Sequence, residues 1–151
     1  MEEFGSIGAF LALGAAFIMV FFIGALIWYV LNAIGLYKIA KKEGNENAWF
    51  AWVPVLNVLL LPMLVNNDVH ESIRGNFVII YIVSLVASMF LGGIIPFVAL
   101  VPFALFVYGF YILLSRYSKN AVVHTVIAGV TLGVSAPIQF LYIMNREPLS
   151  E

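Results

Sequence analysis

The chain has two histidines, His70 and His124, and one aspartate, Asp68. His70 stands between Asp68 and Glu71 in a polar stretch. Metal ligation needs several such groups to converge, and three polar side chains in one short stretch read as a solvated loop. A single aspartate excludes an aspartyl pair. The absence of cysteine removes disulfides, thiol catalysis and cysteine-based metal sites. Neither a Gly-x4-Gly-Lys phosphate loop nor a His-Glu-x-x-His motif occurs. Gly133-Val134-Ser135 echoes a Gly-x-Ser nucleophile, and His124 is the base available on the same apolar run. Eleven residues of straight helix would separate the two by about 16 Å, beyond the hydrogen-bond reach that a nucleophile and its base require. The residues therefore point to no catalytic group, no cofactor and no metal, and to a protein that is not an enzyme.

Other polar residues sit inside apolar runs: Asn32, Asn57, Ser84, Ser88, His124, Thr125 and Gln139. In a lipid-embedded bundle such groups hydrogen-bond across helices; the sharper alternative is a polar path for a solute or ion. Of these residues only His124 is ionisable, which favours structural bonding over transport. Thr125, Gly129 and Gly133 recur every four residues, and Gly8, Ala12 and Ala16 do so near the start. Small residues on one helix face let backbones approach closely in lipid.

The elements that must position these residues follow from composition. Hydrophobic residues make up 64% of the 151, and charged residues 10%. Soluble domains average about 25% charged, and a soluble fold of this length could not hide so much apolar surface. The net charge of −1 gives no basic field for nucleic acid. Charges are missing between Glu3 and Lys38, Glu46 and Asp68, Arg74 and Arg116, and Lys119 and Arg146. Those gaps are each about 21 residues or longer, against the roughly 20 that a spanning helix needs. Glu2 and Glu3 stand where a signal peptide would carry lysine or arginine, so the first apolar run reads as a retained helix.

Four runs result, forming one integral membrane domain over residues 1–151. The first is Ile7 to Tyr37, carried into the headgroup region by Lys38, Lys41 and Lys42 and stopped near Gly44. The second, Ala48 to Val65, contains Pro54, Asn57 and Pro62, with Trp49 and Trp52 at its start as interface anchors. Its prolines bend or break it, which suits a re-entrant or interfacial segment. The third, Phe77 to Ser115, is too long for one crossing and folds back at Gly92-Gly93 and Pro96. The fourth, Ala121 to Met144, reads as a single span. The expected fold is all-α: four spanning helices plus one proline-broken segment, with five spans as the alternative. With four, Lys38, Lys41, Lys42, Arg74, Arg116 and Lys119 share the inner side. Arg146 then falls outside with Glu2, Glu3, Glu147 and Glu151, and both termini are outside.

Leu36-Tyr37-Lys38-Ile39-Ala40-Lys41-Lys42, followed by Asn47-Ala48-Trp49-Phe50-Ala51-Trp52-Val53-Pro54-Val55-Leu56-Asn57, resembles an uncharacterised family of small multi-pass bacterial membrane proteins. Its members show a tyrosine-lysine helix end, a small polar loop, then Ala-Trp-x-Pro with an asparagine three residues on. Arg116-Tyr117-Ser118-Lys119-Asn120-Ala121-Val122 fits the same setting. The resemblance covers about a third of the chain. It implies a multi-pass protein of the bacterial cytoplasmic membrane and carries no catalytic residue; Ser118-Lys119 is an adjacent pair, not a placed dyad. The spacing of Pro54 and Asn57 suggests one local role. Proline frees a carbonyl one turn back, and the asparagine amide could satisfy it.

The expected function is that of an accessory, regulatory or immunity-type subunit, working through helix contacts with another membrane protein or a second copy. A small oligomeric transporter or channel is the alternative.

Overall fold

The computed structural model describes residues 2–149, and side-chain surroundings for residues 7–149. Within them every regular element is helical. The first helix, α1 (Glu2–Lys42), runs 41 residues without a proline. Lys41 and Lys42 occupy its last turn, where positive charge complements the helix dipole. Gly44, at φ +71°, ends it in the left-handed conformation that glycine adopts without strain. A 3-10 turn, Ala48–Trp52, follows, and α2 (Pro54–Val65) begins on its proline. Pro54 therefore opens a helix, at a position that lacks a backbone partner anyway, and does not bend one. Pro62 lies inside α2 and is buried.

The third apolar run folds back as expected. It forms α3 (Phe77–Leu91) and α4 (Leu100–Tyr117), joined through Gly92, Gly93 and a 3-10 turn at Pro96–Ala99.

The fourth run departs from expectation. It is not one span but two short helices, α5 (Ala121–Val130) and α6 (Ala136–Ile143). Leu132 and Gly133 both have positive φ, at 51° and 81°, and reverse the chain between them. Pro137 in the first turn of α6 reinforces the break, since an α5 helix could not continue through it. The hairpin returns to its starting level: the Leu149 N–H donates to the Arg116 carbonyl at 2.7 Å.

Packing is uneven along α1. Its C-terminal third lies against α6 and the 3-10 turn at Ala48–Trp52. At Gly35 a Cβ would stand 2.6 Å from Phe140 Cβ, so this is where α1 and α6 touch backbone to backbone. The core gathers Ile39, Leu60, Phe77, Phe110, Leu113 and Phe140, all fully buried. Phe110 stacks on Phe106 and meets Phe140 edge-on. In contrast, residues 7–28 of α1 are exposed.

Two stretches are long and apolar enough to cross a membrane, Ile7–Lys42 and Pro96–Tyr117; α2, α3 and α5 are shorter apolar helices.

Candidate functional site

Charged residues gather at one end of the bundle around Arg116. Its guanidinium donates to Glu43 Oε2 at 2.5 Å, to Asp68, and to the Leu64 carbonyl at 2.9 Å. Tyr117 adds a bond from its hydroxyl to Glu43 Oε1 at 2.8 Å. Lys42 donates to the Arg146 carbonyl and sits over the Tyr117 ring at 4.7 Å. The end of α1, the end of α2, the end of α4 and the chain after α6 are thus tied into one layer. Arg146 was expected opposite Lys42 and Arg116; it lies beside them, because the α5–α6 hairpin returns. Glu151 lies outside the described residues, as do the side chains of Glu2 and Glu3.

From this layer two half-length segments reach toward the middle of the bundle, and each is fastened to α1. The first is the turn into α2. Asn32 Nδ2 donates to Asn57 Oδ1 at 2.8 Å, and Asn57 Nδ2 donates to the Ala51 carbonyl at 2.6 Å. Ala51 precedes Pro54 by three residues, so Asn57 supplies the bond its spacing from the proline suggested. The second is the turn between α5 and α6, where the Trp28 indole N–H donates to the Val134 carbonyl at 2.9 Å.

Between these attachments lies a cavity of about 110 Å³. Every helix from α1 to α4, together with α6, contributes to its wall; Trp28, Asn32, Asn57, Tyr81, Phe106 and Phe140 are among the lining residues. Asn32, Asn57 and Tyr81 are buried. Among the described residues, neither Asn32 Oδ1 nor the Tyr81 hydroxyl has a hydrogen-bond partner within the protein. The wall contains no ionisable acid or base apart from that phenol.

The remaining sequence candidates lie elsewhere. Gly129 is on α5 with open space beside it, while Gly133 is in the turn facing Phe106. The two are not on one helix face, so the Gly-x-x-x-Gly packing motif expected there does not form; the helix ends at Val130 before Gly133 can join it. His124 and Ser135, expected about 16 Å apart on a straight helix, line one cleft with Gln139 and Tyr142, because the helix reverses between them. Among the described residues no hydrogen bond joins the two. Ser135 Oγ is engaged by Thr131 Oγ1 and Gln139 Nε2, each at 2.9 Å, and the His124 ring lies 5.2 Å from that of Tyr142. Gln139 is buried, and its Oε1 lacks a partner among the described residues. His70 sits in the loop, its Nδ1 accepting from the Ser72 N–H at 3.3 Å. Lys38 and Lys41 are exposed, Lys41 over the Tyr37 ring at 5.6 Å. Trp49 and Trp52 are about half exposed, and Trp52 lies 6.3 Å from Tyr37.

Sequence reasoning passed over Trp28, Gly35, Glu43, Tyr81, Arg116 and Tyr117 as site residues. Glu43 and Asp68 carried a signal: each is an acid among the few charges flanking an apolar run. Trp28 and Tyr81 carried none, since an aromatic residue in an apolar helix is unexceptional.

Set against protein-family models, curated proteins and solved structures, the chain matches none of them.

Proposed function

We propose that this chain is a multi-pass integral membrane protein, without catalytic machinery, that acts through helix contacts with another membrane protein. The observation that carries the reading is the exposure of α1 from Ile7 to Trp28, over several turns and therefore on every face. Phe10, Leu13, Phe17, Val20 and Phe21 are each more than two-thirds exposed. In water such a helix would aggregate; in a bilayer it can stand alone or bind another helix. Gly8 and Gly14 have nothing against them, leaving room for a partner's backbone to approach.

The topology we infer has three crossings, α1, α3 and α4. The segments 43–68 and 118–146 enter and leave on the same side. All seven lysines and arginines (Lys38, Lys41, Lys42, Arg74, Arg116, Lys119 and Arg146) then lie on the inner side, as the positive-inside rule favours. α5, with 10 residues, is only about 15 Å long, about half the hydrocarbon thickness. This arrangement puts the N-terminus outside and the C-terminus inside, in the cytoplasmic membrane of a bacterium if the resemblance in the Tyr37–Asn57 region holds.

Affinity capture of the full chain in mild detergent tests the function. A stoichiometric membrane protein should co-purify, and Ala12→Leu with Ala16→Leu should release it while leaving the chain folded. Capture of the chain alone, at all detergent strengths that keep it monodisperse, would overturn the reading. Single cysteines at positions 67 and 147 test the topology, because the native chain has none. Both should be labelled from the same side, and opposite labelling would refute the inferred arrangement.

A further inference from the structure

The central cavity has a second space beside it. An apolar crevice of about 370 Å³ is lined by Phe21, Gly24, Ala25, Trp28 and Val134. Trp28 belongs to both walls, and the adjacent turn residues Gly133 and Val134 line one space each. The indole is held in place between them by its bond to the Val134 carbonyl. Apart from Val134, the crevice is lined by the exposed stretch of α1. The pair of spaces therefore has one apolar, outward part and one enclosed part carrying polar groups.

We propose that these neighbouring spaces, with the Trp28 ring between them, form a binding site for a lipid-soluble molecule bearing one uncharged hydrogen-bonding head, such as a long-chain alcohol. The chain of such a molecule would occupy the crevice, and its head would enter the cavity. Three features select this class. Asn32 Oδ1 can accept a hydrogen bond and the Tyr81 hydroxyl can donate or accept one; both are without partners among the described residues. A hydroxyl can pair with such polar groups and a bare hydrocarbon cannot, so an alcohol is favoured over an alkane. The wall offers no lysine, arginine, histidine or carboxylate, so a charged head would be desolvated without compensation. The cavity volume of about 110 Å³ is below that of the roughly 150 Å³ engineered cavity that accepts benzene. It fits a head of a few heavy atoms and excludes a phosphate-bearing headgroup with its substituents.

Entry from lipid rests on the membrane reading above. The site itself is tested with the full chain carrying Trp49→Phe and Trp52→Phe, which leaves Trp28 as the sole tryptophan. The probe is a ten-carbon alcohol brominated beside its hydroxyl, and the control is the brominated ten-carbon alkane. Bromine quenches indole fluorescence on contact. The alcohol should quench Trp28 saturably, and unbrominated decanol should reverse the quenching. Tyr81→Phe, which keeps the ring, should weaken binding about three- to tenfold, in line with the loss of one hydrogen bond. Asn32→Leu should weaken it further if that variant remains folded. Equal, non-saturating quenching by alcohol and alkane, unchanged by Tyr81→Phe, would mean simple partitioning into detergent and would overturn the site. A chain that stays in solution after detergent removal and high-speed centrifugation would overturn the membrane reading and the entry route with it. That result is read separately from the quenching.

Discussion

The segment running into α2 and the α5–α6 hairpin do the same thing by different chemistry. Both leave the Arg116 layer, reach part of the way along α1, reverse and return. The α2 segment turns on a proline and is held by side-chain amides, Asn32 to Asn57 and Asn57 to the Ala51 carbonyl. Its polar groups are largely paired within the segment and with α1. The hairpin turns on left-handed backbone at Leu132 and Gly133 and is held mainly by shape: Gly35 against Phe140, and Phe110 against Phe140. At its turn it is bonded to α1 by Trp28 and at its base by Lys42, which donates to the Ile143 carbonyl, while its buried Gln139 is left half-satisfied. One arm is fixed by polar bonding and the other by close packing. Without water to compete, non-helical backbone at depth is tolerated only when buried against protein, and each arm meets that condition in its own way.

Substitution at Gly35 should expose the packing-dependent arm most severely. Gly35→Leu places a side chain where even a Cβ would sit 2.6 Å from Phe140 Cβ and 3.2 Å from its backbone carbon. Neither helix can yield locally, since the clash includes main chain, and overpacking of this kind costs about 3 kcal/mol or more. The thermal midpoint in a fixed detergent should fall steeply, and cysteines placed on α6 should become reactive while those on α2 stay protected. Equal exposure of both arms would show that they are not separately attached.

Arg116→Met should come next and should loosen both arms together. It leaves Glu43 with only the Tyr117 hydroxyl, deprives Asp68 of its cation and removes the donor to the Leu64 carbonyl. Removing one partner of a fully buried pair costs about 3–5 kcal/mol. The Arg116 side chain keeps about a quarter of its surface exposed, so screening by water reduces the expected loss to about 2 kcal/mol. Reversible unfolding in mixed micelles measures it. A loss confined to one arm would show that the layer does not join them.

The contrast between the arms also explains what could be read from the chain alone. Pro54 and Asn57 act through local spacing, so both the broken segment and its amide bond were legible. Gly92, Gly93 and Pro96 likewise announced the α3–α4 turn. The α5–α6 reversal was not legible, because Thr131-Leu132-Gly133-Val134 looks like a continuing apolar helix. One of its two left-handed residues is a leucine, which no turn preference selects. That single missed turn misplaced Arg146 and the C-terminus, made Gly129 and Gly133 look like a helix face, and made His124 and Ser135 look distant. Gly35 was missed for a related reason. Its role depends on Phe140, more than a hundred residues away, whereas the spacing of Gly8, Ala12 and Ala16 drew attention to a part of α1 that is exposed among the described residues.

Asn57→Leu tests the polar arm. It deletes the acceptor for Asn32 and the donor to Ala51, leaving a buried amide and a buried carbonyl unpaired. Interhelical bonds in lipid average about 0.6 kcal/mol by double-mutant cycles, and stranded partners add to that, so a loss of about 1–2 kcal/mol is expected. It should be strongly non-additive with Asn32→Leu, because the two share a bond. Simple additivity in that cycle would mean the 2.8 Å contact contributes nothing.

The smallest effect, and the sharpest division between the arms, is expected at Gln139. This residue has the same amide chemistry as Asn57 and similar burial, at 5% against 7% exposed. It sits in the packing-dependent arm, however, with Oε1 unpaired and its only described bond running to Ser135, one turn away on the same segment. Thr131 remains beside Ser135 when Gln139 is removed, so no new orphan is created. Gln139→Leu replaces a half-satisfied amide by a hydrocarbon of similar length, a change that removes a desolvation cost. Stability should be unchanged or raised by up to about 1 kcal/mol. If Gln139→Leu instead cost as much as Asn57→Leu, the amide would have a partner that the monomeric chain does not supply, and the hairpin would have to be counted as bonded from outside.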